Sequence, residues 1–151
     1  MSQNRCFIPL SPDLDPGHPL FDTEYCERVF EIYPAYYQQT GYEPPFIAYL
    51  IQEDQTIVGI CSFTQPPIDG RVEISYWTFQ QYERRGVASA ACAYLIAIAR
   101  TARPSLEIFA KTLPEHNAST KILERNGFKQ TRVVHDEDVG DAWEWTYPTN
   151  V

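Results

Sequence analysis

Basic residues are scarce: 12 Lys plus Arg stand against 20 Asp plus Glu, giving a formal net charge of −8 over 151 residues. A nucleic-acid binder needs a cationic footprint to displace counterions, so this balance argues against that class of partner. It is compatible with a cationic or amine ligand. No apolar run approaches the roughly 20 residues that a bilayer span requires. Met1–Leu10 holds one Arg and lacks the apolar stretch of a secretory leader. The expectation is a cytoplasmic protein without membrane contact. The four cysteines, Cys6, Cys26, Cys61 and Cys92, form no CxxC pair and have no His at zinc-ligand spacing. That pattern predicts buried, reduced thiols and no metal. No repeat, linker or low-complexity tract divides the chain, so residues 1–151 read as a single domain.

What the chain does contain is a globular mixture, 44% hydrophobic with 8 Phe, 10 Tyr and 3 Trp, which excludes intrinsic disorder. The twelve prolines punctuate loops. A short strand is predicted over Cys6–Pro9. Asp22–Thr23 can cap a helix from about Glu24, where Tyr25, Val29, Ile32, Tyr33 and Tyr36 recur at helical spacing. Pro34 should kink or end that helix. From Pro45 the period becomes two: Phe46–Gln52 and Thr56–Thr64 read as a hairpin about Glu53–Asp54–Gln55. Arg71–Phe79 follows, with Val72, Ile74 and Tyr76 on one face and Glu73, Ser75 and Trp77 on the other. Gly86–Arg103 is an alanine-rich helix stopped by Pro104. Leu106–Thr112 reads as a strand and Pro114–Asn126 as a helix closed by Asn126–Gly127. Strands Phe128–His135 and Ala142–Tyr147 flank an acidic turn, Asp136–Asp141. This order implies an α/β protein with a mixed sheet and helices packed on it.

Two stretches carry chemistry. In Trp77-Thr-Phe-Gln-Gln-Tyr-Glu-Arg-Arg-Gly-Val-Ala-Ser89 a strand passes through a loop with two Arg and one Gly into a helix. The first N–H groups of a helix have no intrahelical partner, and with the helix dipole they form an anion site suited to phosphate. Gly86 gives the backbone its freedom, and Arg84 and Arg85 add forked donors. Two Arg at the positive end of a helix disfavour stability, which points to function. The loop is neither a GxGxxG nor a GK[ST] fingerprint. In the second stretch, Ala110–Phe128, Asn117 and Ser119 supply hydrogen-bonding groups at a helix start, where capping alone explains Asn117.

Together these stretches resemble the GNAT superfamily of acetyl-CoA-dependent N-acetyltransferases, in the group similar to RimJ and RimL. Glu83-Arg84-Arg85-Gly86-Val87-Ala88 matches the family's [QR]-x-x-G-x-[GA] motif except at its first position. Val72–Trp77 looks like its fourth strand, Thr112–Ser119 with Asn126-Gly127-Phe128 like its late strand–helix–strand unit, and Val134–Trp145 like its end. The likeness covers about residues 46 to 147. It implies a GNAT fold with a mostly antiparallel twisted sheet. The pantetheine of acetyl-CoA would lie along Trp77, Thr78 and Phe79. The pyrophosphate would rest on the backbone of Arg84, Arg85, Gly86, Val87, Ala88 and Ser89, and Asn117 would touch the cofactor arm. Glu83 places a negative charge near the phosphates.

The resemblance implies direct transfer of an acetyl group to a primary amine, either a small molecule or a protein N-terminus. An amine must lose a proton to attack, and Glu73 ranks first as base, ahead of Glu107 and His116. The family's Tyr acid on the last helix is replaced by Leu123, leaving Ser119 as the candidate donor to the leaving sulfur. Tyr33, Tyr36, Tyr37 and Tyr42 cluster in the part expected to shape the acceptor site, although core packing also explains them. Trp143 and Trp145 share a face of the last strand. His18 and His135 take no role. The family often dimerises. A protein of the same fold that binds acyl-CoA as a sensor or interaction module is the alternative.

Overall fold

The computed structural model describes residues 4–138 and 140–148. The elements follow the order β1 (Arg5–Pro9), α1 (Glu24–Thr40), β2 (Ala48–Glu53), β3 (Thr56–Phe63), β4 (Arg71–Thr78), α2 (Val87–Ala102), β5 (Glu107–Thr112), α3 (Ala118–Arg125), β6 (Lys129–Asp136) and β7 (Gly140–Tyr147). Short 3-10 turns at Pro19–Phe21 and Gln80–Tyr82 interrupt the loops. The strands form one seven-stranded mixed sheet in the order β1-β2-β3-β4-β5-β7-β6. Every neighbouring pair is antiparallel except β4 with β5. The mixed α/β class and its mostly antiparallel sheet agree with the sequence reading.

Alternation along the strands divides the core in two. Val72, Ile74, Ile108, Ala110 and Trp145 pack with Val87, Ala91, Cys92, Leu95 and Ala99 of α2 and Leu123 of α3. On the opposite face, Ala48, Leu50, Ile57 and Ile60 pack with Cys26 and Val29 of α1, with Phe21 and with Phe79. The second cluster covers only the β1–β3 half. Beyond it the sheet carries a polar surface on β4, β5 and β7, where Arg71 Nε binds Glu107 at 2.5 Å and Arg71 and Arg132 both clamp the buried Glu144 carboxylate.

Several expectations are corrected. Helix α1 runs through Pro34 to Thr40. Proline inside a helix costs about 3 kcal/mol, but the rings beyond it are anchored to the sheet. The Tyr36 hydroxyl donates to the Thr64 carbonyl, and the Tyr37 hydroxyl donates to Leu10 O at 3.0 Å while accepting from Ala48 N at 3.1 Å. Ile32 faces outward at 56% exposure. Thr23 is the N-cap of α1, its Oγ1 accepting from Cys26 N. Helix α3 starts at Ala118 rather than Pro114, because Asn117 closes a reciprocal capping box with Thr120. Cys6 is exposed on the edge strand, whereas Cys26, Cys61 and Cys92 are buried. The acidic turn shortens because β6 extends to Asp136 and β7 begins at Gly140; Val139 within it lies outside the described residues. Among the described residues no group of His, Cys, Asp and Glu could hold a metal ion, and no helix is long and apolar enough to cross a membrane.

Candidate active site

The site begins where two parallel strands part. β4 and β5 pair only at Arg71–Glu73 against Glu107–Phe109; beyond Glu73 and Phe109 they splay. On its other edge β4 stays paired with β3 as far as Gly59 opposite Thr78. In an antiparallel ladder the backbone groups of successive residues turn to alternate sides. The Glu73 carbonyl accepts from Thr64 N and the Phe79 N–H donates to Val58 O, both on the β3 side. Ile74, Tyr76 and Thr78 therefore turn their backbone groups into the splay. Gly59 lets β3 press close here: a Cβ on it would meet the Trp77 carbonyl oxygen at 2.6 Å.

A cleft of about 610 Å³ occupies this opening, lined by Tyr76, Trp77 and Thr78 of β4, by the 83–89 loop and helix start, and by the outer face of α3. Gly86 is the N-cap of α2 and adopts φ 78°, and Arg84 also sits in the left-handed region at φ 66°. These two positive-φ residues bend the chain so that α2 starts facing the cleft, presenting its unpaired N–H groups there. Arg84, Lys121 and Arg125 supply cationic side chains, and Glu83 adds one carboxylate. The donor set fits a pyrophosphate, and the splayed edge fits an amide-bearing arm that adds as a strand.

Of the residues singled out from the sequence, Trp77, Thr78, Arg84, Gly86, Val87, Ala88, Ser89 and Ser119 come together around this cleft. Three have other employment. Phe79 is 1% exposed, stacked on Tyr25 with centroids 4.3 Å apart, and its N–H is spent on Val58. The backbone groups left open to the splay are thus those of Ile74, Tyr76 and Thr78, while those of Trp77 and Phe79 turn to β3. The Arg85 side chain turns away from the cleft to Glu53, at 3.3 Å. Asn117 is absorbed by its capping box, with Nδ2 on Glu115 at 3.3 Å.

Tyr76, Lys121, Ile122 and Arg125 were not foreseen. Tyr76, which alternation puts on one strand face with Val72 and Ile74, packs at the cleft floor, with its hydroxyl 3.5 Å from the Ser119 carbonyl, and burial raises its pKa. Lys121, Ile122 and Arg125 follow at helical spacing once Ala118 is known as the first residue of α3. Asn126 links the two helices, donating to Ser89 Oγ at 3.3 Å and to Ile122 O at 2.9 Å.

Glu73 lies at the apex of the splay, the last β4 residue paired with β5. Its side chain is on the opposite face of the sheet from α2. There its Oε1 accepts from Thr64 Oγ1 at 3.1 Å, and Tyr36 is near. Burial holds its pKa above the usual carboxylate value, against the lowering effects of Lys111 and the Thr64 hydrogen bond. Glu107 is engaged by Arg71, and the His116 ring stacks edgewise on Trp143 with centroids 5.0 Å apart. Leu123 is fully buried. The tyrosine cluster borders an apolar cavity of about 350 Å³ between α1 and the proline-rich segment, with Tyr33, Tyr37 and Tyr42 in its wall.

Comparison with known proteins identifies the fold and the family. No curated protein matches the sequence. The fold matches a microcin C7 self-immunity acetyltransferase, MccE, solved with acetyl-CoA and AMP (TM-score 0.59, 19% identity, 66% of this chain and 58% of that one). It also matches RimL, the ribosomal L7/L12 alpha-N-protein acetyltransferase, in complex with coenzyme A (TM-score 0.63, 21% identity, 82% and 71% of the chains). A third match is the ribosomal-protein-S5-alanine acetyltransferase of Vibrio fischeri (TM-score 0.63, 14% identity, 83% and 71%). The present chain thus spans under two thirds of the MccE chain. The family model for the acetyltransferase (GNAT) domain matches residues 12–129, and the chain belongs to the GNAT acetyltransferase family.

Proposed function

We propose that this protein transfers an acetyl group from acetyl-CoA to a primary amine, on a small molecule or a protein N-terminus. The observation that carries the reading is the cleft in the β4–β5 splay, closed at one end by the start of α2 and along one side by α3. Solved relatives of this fold hold acetyl-CoA and coenzyme A, and the residues present here fit that group. The α2 N–H groups with Arg84 suit the pyrophosphate, and the open backbone of Ile74, Tyr76 and Thr78 suits the pantetheine amides.

Acetyl-CoA supplies an activated thioester whose carbonyl carbon accepts the amine nitrogen as the carbon–sulfur bond breaks. Glu73 takes the proton lost by the amine, directly or through a water. Its position at the apex, on the face away from α2, lets an acceptor enter from the α1 side while the cofactor occupies the α2–α3 side. A half-buried carboxylate with a raised pKa is a better base than a solvated one. Open N–H groups of the splayed strand stabilise charge developing on the carbonyl oxygen. Ser119, in the first turn of α3, passes its hydroxyl proton to the departing sulfur as it takes one from a solvent water. Neither a nucleic acid nor a membrane has a role in this scheme, and the acidic surface favours a cationic acceptor.

The test is thiol release from acetyl-CoA across amines, amino acids and N-terminal peptides, with calorimetry of acetyl-CoA in parallel. Turnover on one acceptor class establishes the reaction. Tight binding without turnover on any class assigns the protein to the sensor alternative, and absence of binding removes the cofactor reading.

A further inference from the structure

The cofactor loop is tied from behind, on the side away from the cleft. Glu53 ends β2 with its side chain 2% exposed, a position that an isolated carboxylate cannot occupy without a large desolvation cost. Two guanidinium groups meet it there. Arg5, directly opposite in the β1–β2 register, binds Glu53 Oε2 through Nε at 2.7 Å. Arg85 reaches Glu53 Oε1 at 3.3 Å from the loop. Arg5 closes the circuit by donating Nη2 to the Arg85 carbonyl at 2.7 Å, and that guanidinium lies 3.8 Å from where a Cβ on Gly86 would sit. The Arg85 guanidinium also lies over the Tyr82 ring, 5.8 Å from its centroid. Both ends of Arg85, carbonyl and side chain, are therefore held. Arg85 sits between the two left-handed residues, Arg84 and Gly86, that aim the α2 start at the cleft.

We propose that Glu53 is a positioning residue for the anion-binding loop: through Arg5 and Arg85 it fixes the 84–86 backbone in the form that accepts a pyrophosphate, without touching the ligand. The proposal rests on the acetyl-CoA reading for its ligand but not for its structural part. It also gives the two adjacent arginines separate tasks: Arg84 faces the cleft and Arg85 anchors the turn.

The experiment compares wild type with Glu53→Gln and with Arg85→Ala, whose side chain is 40% exposed and whose loss leaves Glu53 with Arg5. Amide hydrogen exchange reads the 83–88 segment in the ligand-free proteins, calorimetry reads acetyl-CoA affinity, and steady-state kinetics separates KM from kcat. The proposal requires faster exchange confined to this segment. It also requires an affinity loss of about tenfold, a modest share of what a misplaced site can lose. The KM for acetyl-CoA should rise in step while kcat at saturation stays within about twofold. Because the residues act as one tie, the double variant should lose little more than either single one. Unchanged exchange, or faster exchange with unchanged affinity, overturns the proposal; so does a fall in kcat alone. If Glu53→Gln unfolds, Arg85→Ala decides alone. If wild type itself binds no acetyl-CoA, the cofactor reading has failed, and the positioning claim for a pyrophosphate ligand falls with it, whereas the exchange data still judge the tie.

Discussion

The base role proposed for Glu73 would draw on a carboxylate whose burial costs the fold stability. Burial raises its pKa in the folded protein, so the folded state holds this proton more tightly than the unfolded chain does. Its contribution to stability is complete below the unfolded value and is lost as pH rises through the folded one. Glu73→Gln should therefore raise the melting temperature at pH 7 and leave it unchanged near the acid end, as paired thermal scans at the two pH values would read. The same variant should lower kcat by about 10²–10⁴-fold, the range for a general base, and abolish the acid limb of the kcat/KM profile. Ser119→Ala should reduce turnover while acetyl-CoA affinity stays near wild type; equal turnover would remove the hydroxyl from the reaction. Arg84 and Gly86 could be placed at the cleft from the sequence because a glycine between a basic loop and an alanine-rich helix has few other uses, whereas Trp77 and Ser119, which also line it, were reached only through the family resemblance. Tyr76 was reached by neither, since alternation puts it on one strand face with Val72 and Ile74 and only the splay gives it a second exposed side. Nor could spacing show that Arg85 and Phe79 turn away, because their partners, Glu53, Val58 and Tyr25, lie far off along the chain.

At the level of elements, α3 depends on its first turn more than the longer helices do. It has eight residues, too few to be stable from propensity alone, and the Asn117–Thr120 capping box fixes where it starts. Asn117→Ala should cost about 1 kcal/mol of unfolding free energy, measured by denaturant titration, and Asn117→Ser should restore most of it. A structural cap and a cofactor contact separate here: recovery of stability by Ser without change in acetyl-CoA affinity identifies the cap as its whole role. The order and type of the elements could be read from periodicity, and the hairpin, the alanine-rich helix and the late strand–helix–strand unit lie where expected. The boundaries of α1 and α3 could not. Proline propensity leaves a kink or an end at Pro34 equally open, and the Tyr36 and Tyr37 hydroxyls, bonded to distant backbone, hold the helix on to Thr40. Helix α3 was extended back to Pro114 because a proline at a helix start and an Asn cap three residues later are both acceptable beginnings.

For the whole molecule, charge is segregated. The chain carries −8 overall, yet Arg84, Lys121 and Arg125 gather at the cleft. Attraction of a polyanionic cofactor is then local, against a repulsive background. Screening acts over about 8 Å at physiological ionic strength, the scale of the cleft itself. Acetyl-CoA affinity should fall as salt is raised from about 0.05 to 0.5 M, where the Debye length shrinks several-fold. Calorimetry across that range reads the slope, and an affinity indifferent to salt would mean that the cations do not face the phosphates. The identity of the acceptor is not encoded at this scale by composition, because the face that would receive it is assembled from α1, β3 and β4 side chains distant in sequence.

The parting of β4 and β5 also has a mechanical meaning. The sheet is two plates, β1–β4 and β5–β7, stitched along Arg71–Glu73 and Glu107–Phe109 and reinforced from the side by α2. Such an object bends most easily along its shortest seam. An arm lying in the opening, bonded to the free edge of one plate and braced against the helix of the other, would act as a rivet, stiffening the molecule along the line where it is weakest.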